Sequence, residues 1–147
     1  MKKVLYVDMD NVLVDFPTGI ARLDKDTLET YSGKYDEVPG IFSRMEPLEG
    51  AIEAFILLAE KYDTYILSTA PWRNPSAWTD KLLWVQKHLG EAAHKRLIIS
   101  HHKNLNRGDY LIDDREKNGA GEFRGELIRF GSEQFPDWKS VLKYLLR

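Results

Sequence analysis

The chain has 147 residues and a mass of 17.1 kDa, the size of one domain with room for a hydrophobic core. It contains no cysteine, which excludes a disulfide scaffold, a thiol nucleophile and any zinc or iron–sulfur site built on thiolates. Apolar residues at 43% and a net charge of −2 describe a folded globular chain with no global field for a nucleic-acid polymer or an anionic membrane.

Lys2 and Lys3 lead into Val4-Leu5-Tyr6-Val7, an apolar run that stops at Asp8. It is too short for a signal core, and no window reaches the length of a membrane span. The expectation is a cytoplasmic protein without a membrane partner. The run reads as a buried strand delivering the acidic loop Asp8-Met9-Asp10-Asn11. Val12 to Phe16 is apolar again, and Pro17 breaks it. From Thr18 to Tyr31, polar and apolar residues mix at helical spacing. Ser32-Gly33-Lys34 and Val38-Pro39-Gly40 then punctuate the chain. Residues 17–47 are the least regular and read as a short cap insert within a single domain, 1–147. Leu48 to Tyr62 places Ala51, Ile52, Phe55, Leu58 and Ala59 on one helical face.

Asp63 to Thr69 reads as a second strand, ending in the hydroxyls of Ser68 and Thr69. Pro71 to Asn74 is a loop, and Ser76 caps a helix through His88 that Gly90 closes. Arg96 to Ser100 is a third strand. Tyr110 to Ile112 is a fourth, ending at Asp113-Asp114. The glycine-rich polar segment 115–125 leads to a fifth strand, Glu126 to Phe130, and Pro136 to Leu146 closes as an amphipathic helix. This alternation predicts an α/β fold: a Rossmann-like parallel sheet of about five strands with helices on both faces.

Ligands of such sheets bind at the carboxyl ends of the strands. There the sequence collects Asp8 and Asp10, Ser68 and Thr69, His101 to Lys103, and Asp113 with Asp114. Four carboxylates at one point repel each other unless a cation joins them, and an all-oxygen donor set selects Mg²⁺ or Ca²⁺ over zinc. Lys103 and Thr69 add a positive charge and a hydroxyl, as a transferring phosphoryl group needs. Residues two apart in an extended loop face the same side, so Asp8 and Asp10 can both address one phosphorus. One serves as nucleophile and the other stands by the leaving oxygen. Taken singly, an Asp-x-Asp loop, a strand-end Thr, a surface Lys or the His101-His102 pair has an ordinary structural reading. Their order along four strand ends is what points to chemistry.

That order resembles the haloacid dehalogenase-like phosphatases. Asp8-Met9-Asp10-Asn11-Val12-Leu13-Val14-Asp15-Phe16 is similar to their first motif and Leu67-Ser68-Thr69 to the second. Lys103 is similar to the third, and Leu111-Ile112-Asp113-Asp114-Arg115 to the fourth. More narrowly, Phe42, Glu46-Pro47-Leu48-Glu49-Gly50-Ala51 and Thr69-Ala70-Pro71, with the tryptophans Trp78, Trp84 and Trp138, resemble the 5′(3′)-deoxyribonucleotidase family.

The resemblance implies a Mg²⁺-dependent phosphomonoesterase acting on nucleoside monophosphates through an aspartyl-phosphate. In it Asp8 is the nucleophile and a metal ligand, and Asp10 is the acid–base residue whose backbone carbonyl binds the metal. Thr69 holds phosphoryl oxygens and Lys103 neutralises charge. Asp113 completes the metal shell with Asp114 supporting it. Ile41, Phe42, Ala70, Trp72, Arg73 and His101 lie near base and sugar. The sequence departs from the pattern at Asn11, where many members have glycine, at Ala70 in place of serine, and at His101 in place of arginine. The insert is also shorter than in the animal enzymes.

Two other readings stand beside this one. A related phosphatase would act on another small phosphate ester. A phospho-accepting receiver domain carries similar groups, but with its acidic pair first and its lysine last, whereas here Lys103 precedes Asp113-Asp114. The exposed aromatic residues of the insert suit a substrate lid or a homodimer interface equally.

Overall fold

The computed structural model describes residues Met1–Arg147. Five parallel strands form the sheet: β1 (Val4–Val7), β4 (Asp63–Ser68), β5 (Leu97–Ile99), β6 (Tyr110–Asp113) and β7 (Glu126–Arg129), in the order β5-β4-β1-β6-β7. Two further strands, β2 (Val14–Asp15) and β3 (Glu46–Pro47), pair antiparallel and clasp the base of residues 16–45. Within that clasp lie α1 (Phe16–Ile20) and α2 (Lys25–Thr30), so the helical spacing of 18–31 resolves into two short helices. Pro17 does not break the chain. It occupies the first turn of α1, where its missing N–H costs nothing and its fixed φ favours the helix.

The longer helices are α3 (Ala51–Lys61), α4 (Pro75–Leu89) and α5 (Trp138–Leu145). Asn74, not Ser76, precedes α4. The Ser76 hydroxyl instead accepts from the Gly40 N–H and donates to Asn74 Oδ1, tying the insert to the helix. All three helices share one face of the sheet, where Leu5, Val7, Ile66, Ile112 and Ile128 meet Phe55, Leu58, Val85 and Val141. The opposite face carries a smaller cluster, Tyr6, Leu67, Leu111, Ala120 and Phe123, covered by the 3₁₀ turn Ala120–Glu122. Handedness explains the division. The crossovers β1–α3–β4 and β4–α4–β5 move one way along the sheet and stack on one face. The crossover β6–β7 moves the other way, and a right-handed connection then lies on the reverse face.

The connections on that reverse face run close to the sheet. A Cβ on Gly125 would stand 2.5 Å from the Asp109 carbonyl oxygen and 2.6 Å from that of Gly108, both backbone atoms that cannot swing aside. Gly125→Ala is therefore expected to cost about 1–3 kcal/mol, read as a lower urea midpoint at unchanged m-value.

Strand order reverses at β1, with β4 on one side and β6 on the other, which opens a crevice beyond their carboxyl ends.

Candidate active site

The loop after β1 is wound tightly around Met9. Its carbonyl accepts from the N–H groups of Val12, Leu13 and Val14 at 3.1, 2.8 and 2.9 Å. The Asp8 N–H donates to Ile112 O at 2.9 Å, fixing the loop to β6. Asn11 sits at φ 60°, the left-handed region, which asparagine tolerates better than most residues and glycine best. The asparagine at this position is thus a substitution the backbone accepts. From behind, Trp138 of α5 donates its indole N–H to Val12 O at 2.8 Å and packs at a tilt against Phe130.

Asp8 and Asp113 are buried side by side, and Lys103 joins them. Its Nζ donates to Asp8 Oδ1 at 2.9 Å and to Asp113 Oδ2 at 2.6 Å. Asp113 Oδ1 accepts from the Arg115 N–H. Carboxylate oxygens of Asp8, Asp113 and Asp114 lie within 4.8 Å of one another. Burial pushes the Asp113 carboxyl up to about 6 and Asp114 to about 7, and the Asp8 charge adds to both. Burial lowers the Lys103 ammonium, but Asp8 and Asp113 outweigh it and hold the group above its usual range. Asp10 stands apart, its carboxylate paired with Lys81 at 3.2 Å; burial raises it, and Lys81 opposes that rise.

Charge counting tests the fit of a metal. Lys81 balances Asp10. When the other three carboxylates are all ionised, Lys103 balances one of them, which leaves two negative charges converging from oxygen donors alone. A divalent hard cation matches that remainder in charge and donor type. Each carboxylate has lone pairs left beyond its protein hydrogen bonds.

Residues 25–139 match the model of the family described as 5′ nucleotidase, deoxy (Pyrimidine), cytosolic type C protein. A protein of Vibrio phage KVP40, named as a candidate 5′(3′)-deoxyribonucleotidase, is 61% identical over 98% of this chain and 85% of its own length. The chain belongs to the 5′(3′)-deoxyribonucleotidase family. The human cytosolic 5′(3′)-deoxyribonucleotidase is 28% identical over 92% of this chain and 77% of its own length. In fold the chain is similar to the HAD-hydrolase YfnB of Bacillus subtilis, solved with magnesium (TM-score 0.70, 12% identity, 98% of each chain). It is also similar to a HAD-superfamily hydrolase of Geobacter sulfurreducens (TM-score 0.64, 14% identity, 99% of this chain and 100% of the other). The family makes it a phosphoric monoester hydrolase, a nucleotide phosphatase on a haloacid dehalogenase-like fold.

Above the carboxylates the nucleotidase opens a cleft of about 690 Å³, lined by Asp10, Thr69, Asp114, Trp72 and His101 and, from the insert, by Phe16, Tyr35 and Asp36. Trp72 is 80% exposed at its rim, edge-on to His101 at 5.9 Å between ring centres. Thr69 donates its hydroxyl to Ser100 O at 2.7 Å, so a phosphoryl oxygen must compete with that carbonyl for the single hydroxyl proton. Ile41 and Phe42, expected near base and sugar, are core residues that do not line the cleft. Phe42 instead packs edge-to-face on Phe16, which does, at 5.7 Å. Ala70 is likewise buried, and Arg73 lies outside the lining.

Sequence reasoning did not single out Tyr35, Asp36, Arg115, Asn118 or Lys81. Tyr35 and Asp36 sit on a single 3₁₀ turn and Arg115 and Asn118 on the connection after β6, stretches too short for a periodicity to report direction. Lys81 left a readable signal: it falls on the buried stripe of α4, four residues after Ala77 and four before Val85.

Proposed function

We propose that the enzyme is a Mg²⁺-dependent phosphatase of deoxyribonucleoside 5′- or 3′-monophosphates, working free in the cytoplasm on this small-molecule substrate. The observation that carries the reading is the pairing of a Lys103-bridged Asp8–Asp113 site with a separate, cleft-facing Asp10. The family membership and the names of the phage and human relatives support the nucleotide as substrate.

Asp8, Asp113 and Asp114, with the Asp10 backbone carbonyl, would hold the metal. Bound there, Mg²⁺ supplies positive charge between an anionic nucleophile and an anionic phosphate. Lys103 donates to one oxygen of Asp8 and fixes it, leaving the other to attack phosphorus. As that bond forms, the phosphorus–oxygen bond to the nucleoside breaks, and the departing oxygen takes the proton of the Asp10 carboxyl. Asp10, now a carboxylate, next takes a proton from water as the water oxygen attacks phosphorus. The bond to Asp8 breaks and phosphate leaves. Thr69 and Lys103 bind the phosphoryl oxygens. The insert, residues 16–45, acts as a cap: Phe16 and Tyr35 offer apolar surface to the base, and Trp72 and His101 face them across the cleft.

A phosphate-release panel tests this. It sets deoxy against ribo, 5′ against 3′ and pyrimidine against purine, with sugar phosphates as controls. Release is expected to be fastest from a deoxyribonucleoside monophosphate and to vanish with chelator and return with Mg²⁺. A sugar phosphate turned over faster than every nucleotide would remove the substrate assignment and leave the phosphatase in place.

A further inference from the structure

Lys81 is the one lysine in the chain with no exposed surface, and its ammonium lies in the heart of the molecule. A buried ammonium is costly, and leucine or methionine would fill a helix stripe at no such cost. The stem runs from α4, and Nζ finds three partners for its three protons. These are Ser68 Oγ at 2.7 Å, Thr69 O at 3.0 Å and the Asp10 carboxylate, whose oxygens lie at 3.2 and 3.3 Å. The Phe42 ring packs against the ammonium, its centre 4.6 Å away, and closes the space beside it. Ser68 ends β4 and Thr69 follows it directly, while Asp10 lies in the loop after β1. Ser68 and Thr69 are both tied to Ser100 at the end of the sheet, so Lys81 transfers their rigidity to Asp10.

Asp10 needs that support. Its side chain is 22% exposed and faces the cleft, whereas Asp8 and Asp113 are braced by Lys103. A carboxyl on a loop turns easily about its last torsion, and a misplacement of 1 Å at a reacting centre costs about a hundredfold in rate. We propose that Lys81 is a positioning residue that, through Ser68 and Thr69, locks the Asp10 carboxyl in the orientation from which it protonates the departing nucleoside oxygen. The inference rests on the assignment of Asp10 as proton donor and adds what aims it. Phe42 gains a part as well, as the wall that keeps the ammonium in place.

The test uses leaving groups. A nucleoside alkoxide needs a proton as it departs, and p-nitrophenolate does not. The full chain with Mg²⁺ is assayed for kcat/KM on deoxythymidine 5′-monophosphate and on p-nitrophenyl phosphate, a ratio that reports steps up to departure of the first product. Asp10→Asn is expected to lose on the order of 10²–10³-fold on the nucleotide and at least tenfold less on the aryl ester. Lys81→Met is expected to lose about 10²-fold on the nucleotide and only a few-fold on the aryl ester. Lys81→Arg should restore part of the selective loss, and the double variant Asp10→Asn with Lys81→Met should fall no further than Asp10→Asn.

Equal losses of Lys81→Met on the two substrates would overturn the inference, since a general collapse of the site does not distinguish leaving groups. A non-selective Asp10→Asn would instead overturn the proton-donor assignment, and the inference with it. Should Lys81→Met not fold, Ser68→Ala decides. It removes the shortest of the three contacts and leaves the charge. A nucleotide loss about threefold or more above the aryl loss supports the inference, and equal losses overturn it.

Discussion

Asp8→Asn is expected to lower kcat on every phosphate ester by at least ~10⁴-fold while the protein stays folded. The substitution keeps the shape of the side chain and exchanges a carboxylate oxygen for an amide, which cannot attack phosphorus usefully. Structure should survive because Asp8 contributes more charge than packing. Fully ionised, Asp8, Asp113 and Asp114 carry more negative charge than Lys103 offsets, and the variant removes one carboxylate from that excess. The metal-free variant should therefore melt no lower than the wild type, while the affinity for Mg²⁺ falls with the loss of a ligand. Phosphate release, a thermal melt with chelator present and Mg²⁺ titration calorimetry read the three parts separately. A variant within tenfold of wild-type kcat would remove Asp8 as the nucleophile. A variant that is inactive only because it is unfolded would show in the melt.

The parts of this enzyme that were legible in the sequence are those where one physical rule governs a short stretch. Strands buried on both faces are short apolar runs, so β1, β4 and β6 are legible, each ending at or just before a polar residue because the sheet ends there. The carboxylates could be placed on one crevice because parallel strands point their ends the same way. Rules that compete were less legible. Pro17 reads as a breaker until one knows that a helix starts there. Ile41 and Phe42 read as neighbours of base and sugar, but an apolar side chain suits core and pocket alike, and only their burial within the insert decides. Ser76 has the right chemistry for a cap, yet the helix starts two residues earlier, at Pro75, and frees the hydroxyl to bind the insert. The reverse face of the sheet depended on connection length. Residues 114–125 carry Gly119, Gly121 and Gly125, read as a polar connection, and they cover that face with a 3₁₀ turn.

Lys81 shows the limit most clearly. A lysine in an amphipathic pattern is assigned to the solvated face by default, because a buried ammonium without partners is prohibitive. Its partners come from residues 10, 68 and 69, distant along the chain, and the long stem lets the charge cross an apolar layer to reach them. The sequence holds the anomaly, a lysine on a buried stripe, while its meaning lies in the tertiary fold.

Lys103→Met should be the most destabilising single change at the site, by about 3–5 kcal/mol in the metal-free protein. The lysine is buried and makes two ion pairs, at 2.9 Å to Asp8 and 2.6 Å to Asp113. Methionine fills the stem's volume and so removes the charge with little loss of packing. What remains is three clustered carboxylates with no counter-charge, in place of three balanced by one. At this chain length the loss corresponds to a drop of roughly 6–20 °C in Tm. A cation that binds the folded state stabilises it in proportion to its differential affinity, and the variant offers the cation one more unpaired charge. Mg²⁺ should thus raise Tm by more in the variant than in the wild type, and this excess separates a charge effect from a packing effect. Activity is expected to stay down by at least ~10²-fold even with the metal bound, because the phosphate then meets the carboxylates without the ammonium that offsets its own charge. Differential scanning calorimetry with and without Mg²⁺, beside phosphate release, reads all three outcomes. A variant within about 1 kcal/mol of the wild type in the absence of metal would mean that the carboxylate cluster does not depend on the ammonium there. The charge balance that makes this site a divalent-cation site would then have to be redrawn.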